Sequence, residues 1–294
     1  MFEIIKKKIS NKIIGNEDKI QLALSCIISN GHILIEDLPG TGKTTFAKAL
    51  TEALNLEFKR IQFTSDLLPS DIIGYNINKN GLLEFQKGPI FTNIILGDEL
   101  NRSSPKTQSA FMEAMEEKNI TIDGKTFKLP NPFIVIATQN PSDLSGTSLL
   151  PESQLDRFMI SFSLNQLNDD EQLRVLRDYK NNFDEVSFDK FDLIKIQKNK
   201  DSIQINDIIF NYIQNIYKHI KNNFDDIHIS SRCLKYIVSI SKSLTLIKGI
   251  KGVTFKEVQE VLPYVLRHRI NSVNRKEIDK FIQKEIIEKT ALPE

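Results

Sequence analysis

The sequence predicts an α/β protein. Helices flank a parallel sheet of five strands over residues 1–165, connecting helices fill 166–200, and an all-helical region occupies 201–294. Three observations carry that expectation. Short, apolar, β-branched runs at 32–35, 57–63, 94–99, 133–138 and 159–164 alternate with stretches whose apolar residues fall at helical spacing, the pattern of βαβ units. Several of these runs are apolar throughout rather than alternating, which suits strands buried on both faces of a parallel sheet. From about residue 166 the strands stop, and amphipathic helices rich in Lys, Asn and Ile take over.

Composition sets the outer limits. At 294 residues the chain has room for two domains of roughly 150 residues each. Its 40% hydrophobic and 26% charged content is that of an ordinary soluble globular protein. No apolar run approaches the roughly 18 residues of a membrane span, and Lys6-Lys7-Lys8 is not followed by a hydrophobic region that could serve as a secretion signal. The expected location is the cytoplasm, without direct membrane insertion. Cys26 and Cys233 each sit in an apolar helical pattern and read as small buried hydrophobes. His32, His219, His228 and His268 show no ligand spacing, so no structural metal is expected. Splitting the chain after residue 165 gives 17 basic and 19 acidic side chains before the cut and 22 and 19 after it, −2 against +3. A net charge of +1 with so small an asymmetry argues against a duplex-binding face.

In chain order, residues 1–30 read as helices, with a turn at Ile13-Ile14-Gly15-Asn16 and then an apolar helical face of Ile20, Ala23, Leu24, Ile27 and Ile28. Ile14 and Gly15 are candidates for lining an adenine pocket, a role that sequence does not separate from simple packing. The strand at 32–35 leads into Asp37-Leu38-Pro39-Gly40-Thr41-Gly42-Lys43-Thr44-Thr45, and a helix follows. This strand–loop–helix context suits a phosphate-binding loop. Gly40 and Gly42 let successive N–H groups turn inward, and the following helix adds its positive end. Pro39, Gly40, Thr41, Gly42, Lys43, Thr44 and Thr45 are therefore the candidate contacts of a nucleoside triphosphate such as ATP. Lys43 would reach the β- and γ-phosphates, and the Thr44 hydroxyl would ligate Mg²⁺. Asp37 stands where the general motif has glycine; Asp tolerates left-handed backbone angles, so the loop can still form. The dinucleotide alternative fails at Thr45, where G-x-G-x-x-G needs glycine.

After the strand at 57–63, Asn80-Gly81 marks a hairpin within 76–88, an insertion of the kind that carries partner contacts. The strand at 94–99 ends in Asp98-Glu99. Ligands bind at the carboxyl ends of parallel strands, and there Asp98 would hold Mg²⁺ while Glu99 acts as general base on water. Taken alone, an acidic pair after a strand is more often a helix cap or a solvated loop. Ser104 and Pro105 open a helix whose Phe111, Met112 and Met115 read as core, and Asp123-Gly124 marks a second hairpin over 119–128. The strand at 133–138 is tipped by Gln139-Asn140-Pro141. The Asn140 amide can fix a water against Glu99, or Asn-Pro can be a plain turn. Arg157, before the last strand, suits the charge of a transferring phosphoryl group. Further on, helices are expected over 205–220, 230–246, 254–269 and 276–288, with a Thr254/Glu257 capping box and a kink or break at Pro263.

The order of phosphate loop, acidic strand end, amide-tipped strand, arginine and helical lid resembles an AAA+ ATPase. GHILIEDLPGTGKTTFAKAL, RIQFTSDLLPSDIIG, GPIFTNIILGDELNRSSPKTQSAFMEAMEE, PFIVIATQNP, LPESQLDRF and VLRHRI are similar to the MoxR branch and cover nearly all of 10–165. The resemblance implies that Asn140 is sensor one, Arg157 the arginine finger given to a neighbouring subunit, and Arg232 of ISSRC sensor two, with Arg102 a rival finger. It implies an ATPase core with ATP and Mg²⁺ as cofactors and a homo-hexamer. It also implies a von Willebrand factor A domain partner and a chaperone-like role in maturing or assembling other proteins. Two rivals stay open at this point. A nucleic-acid motor would show a basic surface on the hairpins, where Lys79, Lys87, Lys125 and Lys128 are offset by Glu84 and Asp123. A nucleotide-gated scaffold would have no need of Glu99.

Overall fold

In the computed structural model, which describes residues 2–37, 40–140, 150–178, 193–275 and 277–293, five parallel strands form one sheet. They are β1 (Ile33–Glu36), β2 (Phe58–Gln62), β5 (Ile94–Asp98), β8 (Ile134–Gln139) and β9 (Ile160–Phe162), in spatial order β2-β5-β8-β1-β9. Every residue of β1, β5, β8 and β9 is buried, as their continuous apolar runs require. The order matters for chemistry. Because β8 lies between β1 and β5, the loop after β1, the amide-tipped end of β8 and the acids ending β5 share one rim.

The two hairpins are β3 (Gly74–Lys79) with β4 (Leu82–Lys87), and β6 (Asn119–Ile122) with β7 (Lys125–Lys128). Each turns on two residues at positive φ, Asn80-Gly81 and Asp123-Gly124, the geometry that the right-handed strand twist selects. Phe85 stacks on Phe127 at 4.3 Å, and Asn76 donates to Asp123, so the hairpins support each other. Leu82 and Leu83 stand 75% and 71% exposed at one tip.

Helices α1 (Phe2–Lys12), α2 (Glu17–Ile28) and α3 (Lys43–Ala53) pack on one side of the sheet. Between the strands lie α4 (Pro69–Ile73) and α5 (Pro105–Glu117), the latter capped by the Ser104 hydroxyl, which accepts from the Thr107 N–H at 3.3 Å. Phe111, Met112 and Met115 of α5 are core. After α6 (Glu152–Leu155) and β9, the remaining elements of the described chain are helices: α7 (Asp169–Asp178), α8 (Leu193–Asp201), α9 (Asp207–Asn223), α10 (Ser231–Lys248), α11 (Phe255–Leu266) and α12 (Ile278–Phe281), which runs on as a π-turn to Ile287. α2 joins the two regions. It packs on α10, with Ser29 donating to the Ser239 carbonyl at 3.1 Å, and reaches α11, with Lys19 donating to the Tyr264 hydroxyl at 3.1 Å. One apolar core therefore runs from Ile20 and Ile27 through Ile237 and Leu244.

Two local expectations fare differently. The Thr254/Glu257 capping box forms. Pro263, however, neither ends nor divides its helix: α11 continues to Leu266 because Val258, Val261, Leu262 and Val265 are all buried, and that packing outweighs one missing hydrogen bond. Cys26 and Cys233 are buried free thiols, and burial pushes both above the ordinary thiol range. No helix among the described residues is long and apolar enough to cross a membrane.

Candidate active site

The loop leaves β1 at Asp37. Asp37 does not take the left-handed conformation expected of it: its N–H extends the β1–β8 ladder to the Gln139 carbonyl at 3.2 Å, and its carboxylate accepts from the Leu164 N–H at 3.2 Å. The first glycine of the general motif is dispensable here because the chain is still strand-like at that point. The left-handed turns fall on Gly40 (φ 84°) and Gly42 (φ 87°). A Cβ on either would meet nothing within 4 Å, so these glycines are required for backbone angle and not for room. Pro39 lies outside the described residues.

Lys43 opens α3 and donates from Nζ to the Asp37 carbonyl at 3.2 Å. Burial holds its ammonium below the usual lysine range, and the opposing attraction comes from Asp37, Asp98 and Glu99. The lysine, Asp98 at the end of β5 and the following Glu99 thus stand near enough on one rim to act on one another electrostatically. Thr41 and Thr44 are half-buried, and Thr45 is exposed.

Asp98 ends β5, 6% exposed. Its Oδ2 accepts from Arg60 Nε at 2.6 Å and its Oδ1 from the Thr138 hydroxyl at 3.1 Å. Glu99 sits at φ 57°, ψ 45°, a left-handed conformation that costs a non-glycine residue about 1–2 kcal/mol. The Glu99 N–H donates to Thr138 Oγ1 at 2.9 Å, so one hydroxyl fixes both acids and holds the unusual turn. The Glu99 carboxylate accepts from Gln62 Nε2 at 2.8 Å and from Arg102 at 2.9 Å. Asn140 follows β8 directly on the same rim, half-buried.

Sequence reasoning missed Arg60, Gln62 and Thr138. Arg60 and Gln62 alternate along β2 and so share a face, and β2 pairs with β5 in register Arg60↔Leu96, Gln62↔Asp98. The strand order makes them neighbours of the acids, and strand order is not written in local periodicity. Thr138 was hidden inside an apolar run.

Donor chemistry tests the fit to Mg²⁺. Among the described residues no group of three or more His, Cys, Asp or Glu could hold a metal. One carboxylate, Asp98, and one hydroxyl, Thr44, are hard oxygen donors on this rim, and Mg²⁺ characteristically takes one or two protein oxygens and completes its shell with phosphate and water. The residues fit a metal that arrives with a nucleotide.

Ile14 and Gly15 lie in a turn tied to the same rim. Asn165 donates twice, from its side-chain Nδ2 to the Gly15 carbonyl and from its backbone N–H to Asn16 Oδ1, both at 2.8 Å, and the adjoining Leu164 N–H donates to the Asp37 carboxylate. Gly15 (φ 74°) faces the Glu171 carboxylate, where a Cβ would approach to 2.6 Å.

Arg157 and Arg232 form a second cluster. Both bind Glu116 in the last turn of α5: Arg157 Nε donates at 2.8 Å, and Arg232 pairs with the other carboxylate oxygen. Hydrogen bonding from Arg157, helped by Arg232, holds the Glu116 carboxyl below its usual range. Asp156 joins them, accepting from Ser230, Arg232 and Arg269. Arg157 precedes β9, whose first residue pairs with Ile33 at the start of β1, so it lies toward the opposite end of these parallel strands from the loop that leaves β1 at Asp37. Arg102, in contrast, stands on the rim and bonds the Glu99 of its own chain.

Comparison with known proteins agrees with this architecture. A family model described as the ATPase family associated with various cellular activities (AAA) matches residues 32–160. Chaperone MoxR1 of Mycobacterium tuberculosis is 33% identical over 274 residues, covering 88% of this chain and 72% of that protein. The chain belongs to the MoxR family of AAA+ ATPases. YeaC of Bacillus subtilis, an uncharacterised protein, is 38% identical over 269 residues, covering 89% of this chain and 84% of its own length. A candidate ATPase from Cytophaga hutchinsonii has a crystal structure with a TM-score of 0.84 at 33% identity, covering 97% of this chain and 93% of that one. The fold expected from the sequence, an AAA+ α/β core with a helical C-terminal region, is the fold observed.

Proposed function

We propose that this MoxR-family chain hydrolyses ATP to ADP and phosphate and uses the cycle, as a homo-hexamer, to remodel partner proteins. The observation that carries the reading is the shared rim of β1, β8 and β5, on which the loop bearing Lys43 stands beside Asp98 and a Glu99 held in left-handed conformation by Thr138. In this reading the loop N–H groups and Lys43 bind the phosphates, with Ile14 and Gly15 toward the base. Thr44 and Asp98 would hold Mg²⁺, which would supply charge neutralisation to the phosphates. Glu99 takes a proton from water as the water oxygen bonds phosphorus and the bridging oxygen leaves with ADP, while Asn140 orients that water. Gln62 and Arg102 must first release the Glu99 carboxylate.

In this reading Arg157, toward the opposite end of the strands from its own loop, would serve a neighbour's nucleotide. Arg232 shares Glu116 with it, so the two cations would be donated together. A site completed in this way works in a closed ring. A protein client is favoured over nucleic acid by the hairpin tip, where Leu82 and Leu83 are exposed while Lys79 pairs with Glu84 and Lys87 lies over the Phe91 ring. A partner bearing a von Willebrand factor A domain belongs to the same proposal, as does division into an ATPase core (1–165), connecting helices (166–200) and lid (201–294).

The deciding variant is Glu99→Gln. It is expected to bind Mg·ATP normally and to turn over at least about 10²-fold more slowly. Turnover within a few-fold of wild type removes Glu99 from its role, and ATPase stimulation by DNA in a salt-sensitive way would favour the motor.

A further inference from the structure

Glu36 closes β1 one residue before the loop, 3% exposed, and hydrolysis as derived above gives it nothing to do. A buried carboxylate needs partners, and these come from two directions. Gln139, at the end of β8, donates Nε2 to Oε1 at 2.8 Å. From beyond α11, Arg267 Nε lies 3.7 Å from Oε2 and an Arg275 guanidinium nitrogen 3.4 Å from Oε1. Ser163 donates to the Glu36 carbonyl at 2.7 Å and accepts from Arg267 at 3.2 Å. The two arginines are tied to each other, Arg275 donating to the Arg267 carbonyl at 2.6 Å, and to Asp279, which accepts from Arg267 at 2.7 Å. The next residue, Asp37, offers its carbonyl to Lys43. The lysine of the loop and the arginines of the helical region therefore bear on consecutive residues of one strand end.

The network is not saturated. Glu36 Oε2, Gln139 Oε1 and Arg267 Nε are each buried without a hydrogen-bond partner among the described residues. At 3.7 Å the Arg267–Glu36 approach is an ion pair just outside hydrogen-bonding range, and a shift of roughly 1 Å would close it. The observed arrangement is thus one small displacement away from a hydrogen-bonded one, the kind of geometry on which a conformational relay can work.

We propose that Glu36, Arg267 and Arg275 are positioning residues that transmit nucleotide binding at the loop to the helical region. When a phosphate draws Lys43 from the Asp37 carbonyl, the end of β1 is released and Arg267 closes on Glu36, moving the 267–275 segment with it. The proposal rests on reading the loop as an ATP site, and the test separates the two. Mant-ATP affinity and hydrogen exchange of peptides covering 267–275, with and without Mg·ATPγS, are measured on the full chain. Wild type is expected to bind and to show a change in exchange of at least about fivefold in this segment. Glu36→Gln is expected to keep its affinity within about threefold and to lose that change. Arg275→Gln, at a position 27% exposed, is expected to diminish it as well in protein shown by circular dichroism to be folded. Wild type that fails to bind mant-ATP overturns the ATP reading and the relay together. Binding with no exchange response at 267–275, or a response unaltered in a folded Arg275→Gln, overturns the relay alone.

Discussion

Replacing Thr138 by valine keeps the shape of a side chain that is 1% exposed and removes one hydroxyl. That hydroxyl donates to Asp98 at 3.1 Å and accepts from the Glu99 N–H at 2.9 Å. The hydrogen bond to an ionised carboxylate is worth about 1.5–3 kcal/mol, and the stranded N–H costs about 1–3 kcal/mol more. The two losses share one atom and do not add, so a destabilisation of about 2–4 kcal/mol is expected from urea midpoints. The functional consequence is larger. Glu99 holds its left-handed turn against about 1–2 kcal/mol of intrinsic preference, and without its anchor the turn relaxes and carries the carboxylate away. General-base catalysis is worth about 10²- to 10⁴-fold, so kcat should fall about 10²-fold while mant-ATP affinity, set by the loop and Lys43, stays within a few-fold. Thr138→Ser, which restores the hydroxyl and not the methyl, should recover most of the rate. The reasoning is refuted if the folded valine variant hydrolyses ATP within about threefold of wild type, or if serine fails to rescue.

Three further outcomes test separate parts of the structure. Gly42→Ala should lose about 1–2 kcal/mol and bind mant-ATP more weakly through backbone angle alone, since no atom lies within 4 Å of the added methyl; an unchanged affinity would show the left-handed turn to be unimportant. Arg157→Ala should abolish turnover alone yet be partly rescued by mixing with Lys43→Ala subunits, each supplying what the other lacks, and an absence of rescue in mixed oligomers would argue against donation between subunits. Burial lowers the His32 pKa from 6.5 to about 4, and the ring's Nδ1 accepts from the Val135 N–H at 3.0 Å. The unfolded chain takes up a proton below about 6.5 and the folded chain only near 4, so this contribution is present at pH 7 and is lost as pH falls through that window, about 2 kcal/mol by pH 5. Urea midpoints at pH 7 and pH 5 should show the loss in wild type and a smaller one in His32→Gln.

What sequence revealed and what it concealed divide along a physical line. Lys43, Asp98 and Glu99 were legible because each belongs to a local pattern, a glycine bend before a helix or an acidic pair closing an apolar strand, and local patterns survive in one dimension. Arg60, Gln62 and Thr138 were illegible because their roles arise from strand order. Only when β2 lies against β5, and β8 between β5 and β1, do a surface-reading arginine and a threonine within an apolar run meet the acids. Asp37 marks the opposite error, an expectation too local: the missing glycine matters only if the chain has already turned there, and the ladder to Gln139 shows that it has not. Glu36 went unread for a related reason. A carboxylate at the end of an apolar strand looks like the start of a loop until Arg267 and Arg275, more than two hundred residues later, arrive to neutralise it. Charges buried at the rim of a parallel sheet are thus better sought after the fold is known, by asking which of them the proposed chemistry leaves unused.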